Sequence, residues 1–382
     1  MEKILIDRKR FLGLATGAVI LAGFTCYALS DRSNFKRSDI RPDKAGGSPL
    51  NPDEIEILYL ASLAPSGHNT QPWFVKYIEP YHWIIGNDKS KWLPGVDPTQ
   101  RETILSIGAF LQNLEYAAGN LGYDCDFKLL TATNQEENGV EAKLIKSIVR
   151  TYDIQKIKQR RTVRLNYLSD NLKKQDVRFL TNESPDFLHF LPKISKESGW
   201  ISEQTIEANR LQSYRDPAQK ELSEWIRFSS KDAEKYRDGL TAASMEIDGI
   251  PGWVLRRSAA RNFYGKANVM KKGFREQNVD TVSKQVAQSA GWILITGKDN
   301  SVASLLETGK RMQRLFLKVR EKNIAIHPMT QVLEEPATNQ KFAQSLGMSN
   351  SVQFILRTGY LKNYPDPVSL RRPFGNFVRF SK

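Results

Sequence analysis

Residues 61–74 read Ala-Ser-Leu-Ala-Pro-Ser-Gly-His-Asn-Thr-Gln-Pro-Trp-Phe, and they hold the densest set of polar side chains suited to a flat ligand in this chain. Ser66, Asn69 and Gln71 can each donate and accept in the plane of a heterocycle. Ser66 and Gly67 keep the side chains short on an open backbone, and Trp73 can wall one side. Loops of this kind, just ahead of a sheet, suit a small polar ligand. Taken alone, the segment is also an ordinary turn between a helix and a strand.

A second group carries positive charge. Arg160, Arg161 and Arg164, with Thr162 between them, form a compact cluster. The guanidinium fork matches phosphate oxygens, although a solvated arginine-rich turn has the same composition. His327-Pro328-Met329-Thr330 follows a short apolar run and is either a strand-ending turn or a ligand-facing loop. Arg371-Arg372 stands before Pro373 near the carboxyl end, as a surface pair or a second anion-binding element. His68 has no serine and aspartate pattern to complete a hydrolase triad. No Gly-x-Gly-x-x-Gly follows a strand, so a dinucleotide fold is not indicated. Two cysteines and four scattered histidines give no disulfide framework and no metal-ligand spacing. Asp97, Arg101 and Glu102 read as cap and dipole partners of a helix.

The elements that must position these groups follow from periodicity. Ile55, Leu58, Tyr59 and Ser62 recur at helical spacing up to Pro65, and Trp73-Phe74-Val75 begins a strand that alternates through Ile78. A second strand is expected over 82–86. Asp97-Pro98 opens a long helix with Ile104, Ile107, Phe110, Leu111, Leu114 and Ala118 on one face and Gly122 at its end. Strand material is expected over 126–130 and 142–148, and helix over 154–158. Two long helices are expected over about 203–228 and 231–247, followed by an irregular cover over 249–276. Residues 291–296 read as a buried strand. Leu305, Gly309, Met312, Leu315, Phe316 and Val319 form a helix face, and Val352, Phe354 and Leu356 a late strand.

The net charge of +14 raises nucleic acid or an anionic membrane as partners. The basic residues are interleaved with acidic ones, as from Lys220-Glu221 to Lys235, which reads as a solvated face, and no nucleic-acid partner is expected. At the amino terminus, Arg8-Lys9-Arg10 precedes an apolar run from Phe11 to Leu29, and Ala28-Leu29-Ser30 offers a small-x-small cleavage site. Residues 1–30 are therefore expected to be an export signal or a membrane tether, and 31–50 a linker. The expected location is periplasmic, or membrane-tethered outside the cytoplasm. Arg8-Lys9-Arg10-Phe11-Leu12 resembles the twin-arginine export motif with lysine in place of the second arginine.

The segments together resemble the flavin-dependent nitroreductase family, over about residues 51–380. The loop 65–73 is similar to the family's Ala-Pro-Ser-x-x-Asn-x-Gln-Pro-Trp segment, and 160–164 to its Arg-Arg-Ser-x-Arg signature with Thr162 for serine. His327 to Thr330 is similar to its Pro-x-x-Gly loop, with Gln331 where members often carry glycine, and Arg371-Arg372 to the basic pair near its carboxyl end. The resemblance implies an α+β, nitroreductase-like fold. It implies flavin mononucleotide (FMN) held by Ser66, Gly67, Asn69 and Gln71 at the ring or ribityl edge. Arg160, Arg161, Thr162, Arg164, Arg371 and Arg372 would hold its phosphate and ribityl chain. Pro328, Met329 and Thr330 would stand beside flavin N5, with two-electron transfer through N5 to a small acceptor and no side chain needed as acid or base. In the family, the serine-bearing loop and the arginine cluster of one site come from two subunits. Here one chain carries both, which resembles the Acg-type subgroup with two fused halves. The resemblance then implies a shortened first half over 51–155, a second over 156–382, and an internal pseudo-dimer that needs no partner subunit. A flavin-holding or redox-buffering protein without turnover is the alternative. Export would also separate the protein from the reduced nicotinamide that such enzymes use.

Overall fold

The computed structural model describes residues 49–227, 229–246, 266–339 and 342–380. The export segment, nearly all of the linker and the first part of the expected cover lie outside the described residues. No helix among the described residues is long and apolar enough to cross a membrane.

The chain enters through helix α1 (Pro52–Ser62), whose start is set by Pro52 and by Glu54, which accepts the Asn51 backbone N–H at 2.8 Å. The Glu54 carboxylate is fully buried because it also receives the Tyr81 N–H and the Trp83 indole N–H, tying α1 to the hairpin of β1 (Trp73–Glu79) and β2 (His82–Asn87). Helix α2 (Arg101–Asn120) is capped by Asp97, whose carboxylate accepts the N–H groups of Arg101, Glu102 and Thr103 at 2.9, 2.8 and 3.2 Å. Strands β3 (Tyr123–Leu129) and β4 (Asn138–Lys146) follow. After α3 (Ile154–Gln159) and α4 (Lys174–Thr181) come β5 (Leu188–Pro192), α5 (Lys196–Tyr214) and α6 (Asp216–Trp225). The short strands β6 (Ile226–Arg227) and β7 (Leu240–Thr241) pair in parallel. Helix α7 (Lys272–Ala287), β8 (Gly291–Gly297), α8 (Val302–Lys318), β9 (Ile324–Pro328), β10 (Ser351–Tyr360) and β11 (Val378–Phe380) complete the order.

Two sheets carry the molecule. One runs β11-β1-β2-β4-β3 and the other β5-β8-β10-β9. Leaving β11 aside, both follow the order first-second-fourth-third with antiparallel neighbours, and both insert a long helix between the second and third strands. The first two strands form a tight hairpin in one sheet, whereas residues 193–290 separate them in the other. The carboxyl-terminal β11 lies parallel to β1 in the sheet built by the amino-terminal segment.

The inserted helices, α2 and α8, pack directly on each other. Gly108 and Gly309 face one another at the crossing, where a Cβ on either would overlap the backbone of the opposite helix. Alanine at either position should cost about 1–3 kcal/mol, because two backbones that close leave no room for a methyl group. Beside the crossing, the Gln313 amide donates to Asn113 Oδ1 at 2.7 Å, and the Asn113 amide donates to the Leu60 carbonyl. The main core surrounds this crossing and includes Trp73, Phe110, Ile293 and Phe316.

Four expectations are corrected. The described part of the cover expected to be irregular, 266–276, is helical at Lys266–Val269 and from Lys272 onward. The helix expected over 203–228 is two helices, because Pro217 lacks the N–H that would continue α5 and Arg215 turns extended (ψ 107°). The stretch 231–247 is helical only to Tyr236; Arg237 adopts a left-handed conformation and β7 follows. Glu221 is not on a solvated face: its carboxylate is buried and accepts the N–H groups of Gly95 and Val96 at 2.6 and 3.2 Å.

Candidate functional site

Helix α1 ends at Ser62, and the chain then folds into a loop with three non-glycine residues at positive φ: His68 (44°), Asn69 (55°) and Gln71 (55°). Such backbone persists only where surrounding bonds over-determine it. Ser66 contributes both ways, its carbonyl accepting the Asn69 N–H and its hydroxyl oxygen accepting the Gln71 N–H at 2.9 Å. The loop forms one wall of a cavity of about 260 Å³, through Ser66, Gly67, His68 and Asn69.

Beneath the loop lies a buried polar clamp. Arg371 donates to the Leu63 and Ala64 carbonyls at 3.0 Å each, and to Asn69 Oδ1 at 2.9 Å. The Asn69 amide donates to the carbonyls of Gly239 and Leu370. Arg372 donates to the carbonyls of Gln71 and Trp73 at 2.5 and 2.6 Å, and its backbone N–H donates to Gln71 Oε1. Burial lowers the Arg372 pKa to about 10, with Asp88 opposing the shift. Arg371, Arg372 and Gln71 are thus spent on the protein's own backbone and do not line the cavity, contrary to the expectation that they hold a cofactor. Asn69 borders the cavity, yet both ends of its amide are engaged in the clamp. Trp73 walls nothing; it is fully buried, with its ring 5.2 Å from Phe110.

The arginine cluster divides. Arg160, Thr162 and Arg164 line the same cavity as Ser66, while Arg161 turns away to the Asp366 carbonyl and Glu246. The Arg160 guanidinium sits 5.3 Å from the Phe316 ring centroid and donates to the Leu63 carbonyl. Arg164 donates to the Ser244 carbonyl at 2.6 Å, and its backbone N–H to Glu246. From the strand-ending turn, Pro328 and Thr330 reach the cavity. Met329 does not. It is buried in a second apolar cluster with Trp292 and Phe342, where alternation along the extended chain puts it.

Four cavity groups escaped the sequence reading as site residues: His68, His327, Glu102 and Glu334. His68 Nδ1 and His327 Nδ1 are buried without a hydrogen-bond partner among the described residues. Burial lowers both imidazole pKa values; Glu102 opposes the shift at His68, and Arg164 and Arg357 reinforce it at His327. The Thr330 hydroxyl lies between two carboxyl groups, 3.1 Å from Glu102 Oε1 and 2.9 Å from Glu334 Oε1. Gln212 donates to Glu334 Oε2 at 2.6 Å, and Arg101 pairs with Glu102 at 3.1 Å. Burial and the neighbouring Glu102 raise the Glu334 pKa well above the ordinary carboxylate value. Glu334 also lines a second, larger cavity of about 740 Å³, together with Asp97 and Arg101. The cavity therefore has a cationic side from 160–164 and an acidic side from α2 and the turn after β9. His68 and His327 lay inside segments that the sequence singles out, Glu102 stood at a helix start that pointed to the helix dipole, and Glu334 carried no signal.

No family model matches the chain. The chain is 21% identical over 317 residues to the probable NAD(P)H nitroreductase PigM of Serratia sp. (strain ATCC 39006), spanning 78% of this chain and 86% of that relative. The relative's name agrees with the resemblance read from the loops. Among solved structures, it is similar to a nitroreductase-like family protein from Bacillus cereus, with 13% identity and a TM-score of 0.33 over 61% of this chain and 98% of the other. It is also similar to the FMN-dependent nitroreductase NfnB from Mycobacterium smegmatis, solved in complex with NADPH, with 13% identity and a TM-score of 0.36 over 60% and 97%.

Proposed function

We propose that this chain is an FMN-dependent oxidoreductase of nitroreductase type, which takes two electrons from a reduced nicotinamide and passes them to a small acceptor. The observation that carries the reading is convergence. Three segments far apart in sequence, 65–69, 160–164 and 328–330, line one cavity, and each is a segment on which the family resemblance rests. Similarity to a curated relative named as an NAD(P)H nitroreductase supports the same activity.

The donor set fits the cofactor at both of its ends. Arg160, Thr162 and Arg164 would hold the phosphate, since guanidinium and hydroxyl donors match its oxygens. Ser66 and the open backbone at Gly67 would border the ring or ribityl chain. The unpartnered Nδ1 atoms of His68 and His327 are hydrogen-bonding capacity that a polar heterocycle would use. When bound, FMN supplies two-electron chemistry; the chain's own residues bind, orient and enclose it. The neutral histidines leave the cationic charge on the arginine side, which keeps the phosphate end distinct from the acidic side.

Within the same reading, the two halves are diverged copies forming an internal pseudo-dimer of the fused, Acg-type arrangement. The shared strand order and the Gly108–Gly309 crossing of equivalent helices support it. So does β11, through which the second half completes the sheet of the first. Residues 1–30 direct the chain out of the cytoplasm or tether it at a membrane.

The test is a spectrum followed by a titration. Purified full-length chain should carry or take up FMN, and NADPH or NADH added without oxygen should bleach the oxidised flavin colour within seconds. Yellow protein that stays yellow supports a flavin-holding, redox-buffering role. Protein that takes up no FMN overturns the reading.

A further inference from the structure

Thr330 has one hydroxyl hydrogen, yet its oxygen lies within hydrogen-bond distance of two carboxyl oxygens, Glu102 Oε1 and Glu334 Oε1. It can donate to only one of them. The other contact is a hydrogen bond only if that carboxyl is itself protonated and donates to the hydroxyl. Glu102 has the Arg101 guanidinium 3.1 Å away, whereas no cation pairs with Glu334 among the described residues, so the proton is assigned to Glu334. The Glu334 Oε2 atom keeps its bond from the Gln212 amide in either state.

Glu334 also borders both cavities, the 260 Å³ one with Ser66 and Arg164, and the 740 Å³ one whose rim residues Pro98, Thr99, Pro336 and Asn339 are exposed. His327 also lines the smaller cavity, nine-tenths buried, with an Nδ1 unpartnered among the described residues. A protonated carboxyl between a water-accessible space and a cavity with unspent acceptor capacity is the arrangement that proton delivery requires.

We propose that Glu334, with Thr330 and Glu102, is the proton donor of this site, passing protons from the larger cavity to the acceptor reduced in the smaller one. The inference rests on the oxidoreductase reading above. In the step, the acceptor receives a hydride equivalent, two electrons and one proton, that originates in the reduced nicotinamide, and needs one more proton. The Glu334 O–H bond breaks, its proton bonds to the acceptor's oxygen or nitrogen, and the O–H electron pair stays on the Glu334 carboxylate. Water in the larger cavity then returns a proton to Glu334. The charged and titratable groups that line the two cavities with it are Glu102, Arg101 and Asp97 from α2 and its cap, His68 from the loop, Arg160 and Arg164 from the arginine cluster, and His327. The Arg215–Glu335 ion pair follows at 2.6 Å on the adjoining turn. Burial and the Glu102 charge raise the Glu334 pKa well above the ordinary carboxylate value.

Two measurements test this. Infrared spectra of the purified chain without added FMN should contain a protonated-carboxyl C=O stretch at pH 7 that Glu334→Gln removes; no such band in the wild type overturns the proposal. With FMN bound, reduced protein mixed with p-benzoquinone should reoxidise at a rate that falls as pH rises past the Glu334 titration. Glu334→Gln should slow reoxidation roughly 100-fold or more and flatten that profile. Thr330→Val, which removes the shared hydroxyl, should slow it less and keep the profile. Equal rates in wild type and Glu334→Gln overturn the proposal. Failure of the wild type to bind FMN or to be reduced by NADPH strikes instead at the oxidoreductase reading, while the infrared band still decides the state of Glu334.

Discussion

The clamp below the loop 65–73 and the cavity beside it draw on the same residue types, arginine, asparagine, glutamine and carboxylate, and they use them in opposite ways. In the clamp, Arg371 and Arg372 donate to backbone carbonyls of Leu63, Ala64, Gln71 and Trp73. Those bonds hold a backbone with three left-handed non-glycine residues in place. In the cavity, His68 and His327 keep a ring nitrogen unpartnered among the described residues, and Glu334 shares a hydroxyl with a second carboxyl group. A polar motif can therefore border a cavity and still spend its side chains on the fold. The clamp shapes the wall, and the cavity groups keep hydrogen-bonding capacity.

Substitutions should separate the two regions. Arg371→Met has the largest expected effect on stability, about 3 kcal/mol in denaturant unfolding, because it strands the buried Ala64 carbonyl and the Asn69 amide oxygen and leaves the Leu63 carbonyl only its bond from Arg160. A loss below about 1 kcal/mol would erase the contrast. Arg164→Met, on the cavity side, should weaken FMN binding at least tenfold by fluorescence titration, the worth of about one charge-assisted hydrogen bond. Its unfolding free energy should move less than that of Arg371→Met.

A pH series sharpens the comparison further. A carboxyl whose folded pKa is raised adds stability below its unfolded pKa and loses it as pH rises through the folded value. Glu334 and Glu221 are both shifted that way by burial, Glu221 to about 7. Wild-type stability should thus fall between roughly pH 4.5 and 7, and Glu334→Gln should flatten part of that fall and exceed the wild type at pH 8. The smallest effect is expected from Gly67→Ala. Its new Cβ would stand 3.2 Å from Glu102 Oε2 and from Leu93 Cδ1. It should cost under about 1 kcal/mol while shifting the reoxidation pH profile, since it presses on the acidic side of the cavity.

Local patterns were legible where a local cause sets the structure. Asp97 ahead of an apolar helical stripe predicted a cap, and its carboxylate accepts three N–H groups of α2. The unbroken apolar run 291–296 predicted a strand buried on both faces, and all of β8 is buried. The break at Arg215 was equally local and was missed, because Pro217 was given no weight inside an apparently continuous periodic stretch.

What the amino-acid order determined on its own was the strongly periodic elements, α1, β1, β2, α2, β8, α8 and β10, and the polar segments that punctuate them, since caps and periodicity act within a few residues. Only the tertiary structure decided which polar groups are consumed and which are left to the cavity. Arg371 meets Asn69 across 302 positions, and Thr330 meets Glu102 across 228. A guanidinium becomes a structural strut or a cavity-lining group according to how many buried carbonyls surround it, and burial of that kind is a property of packing between distant segments.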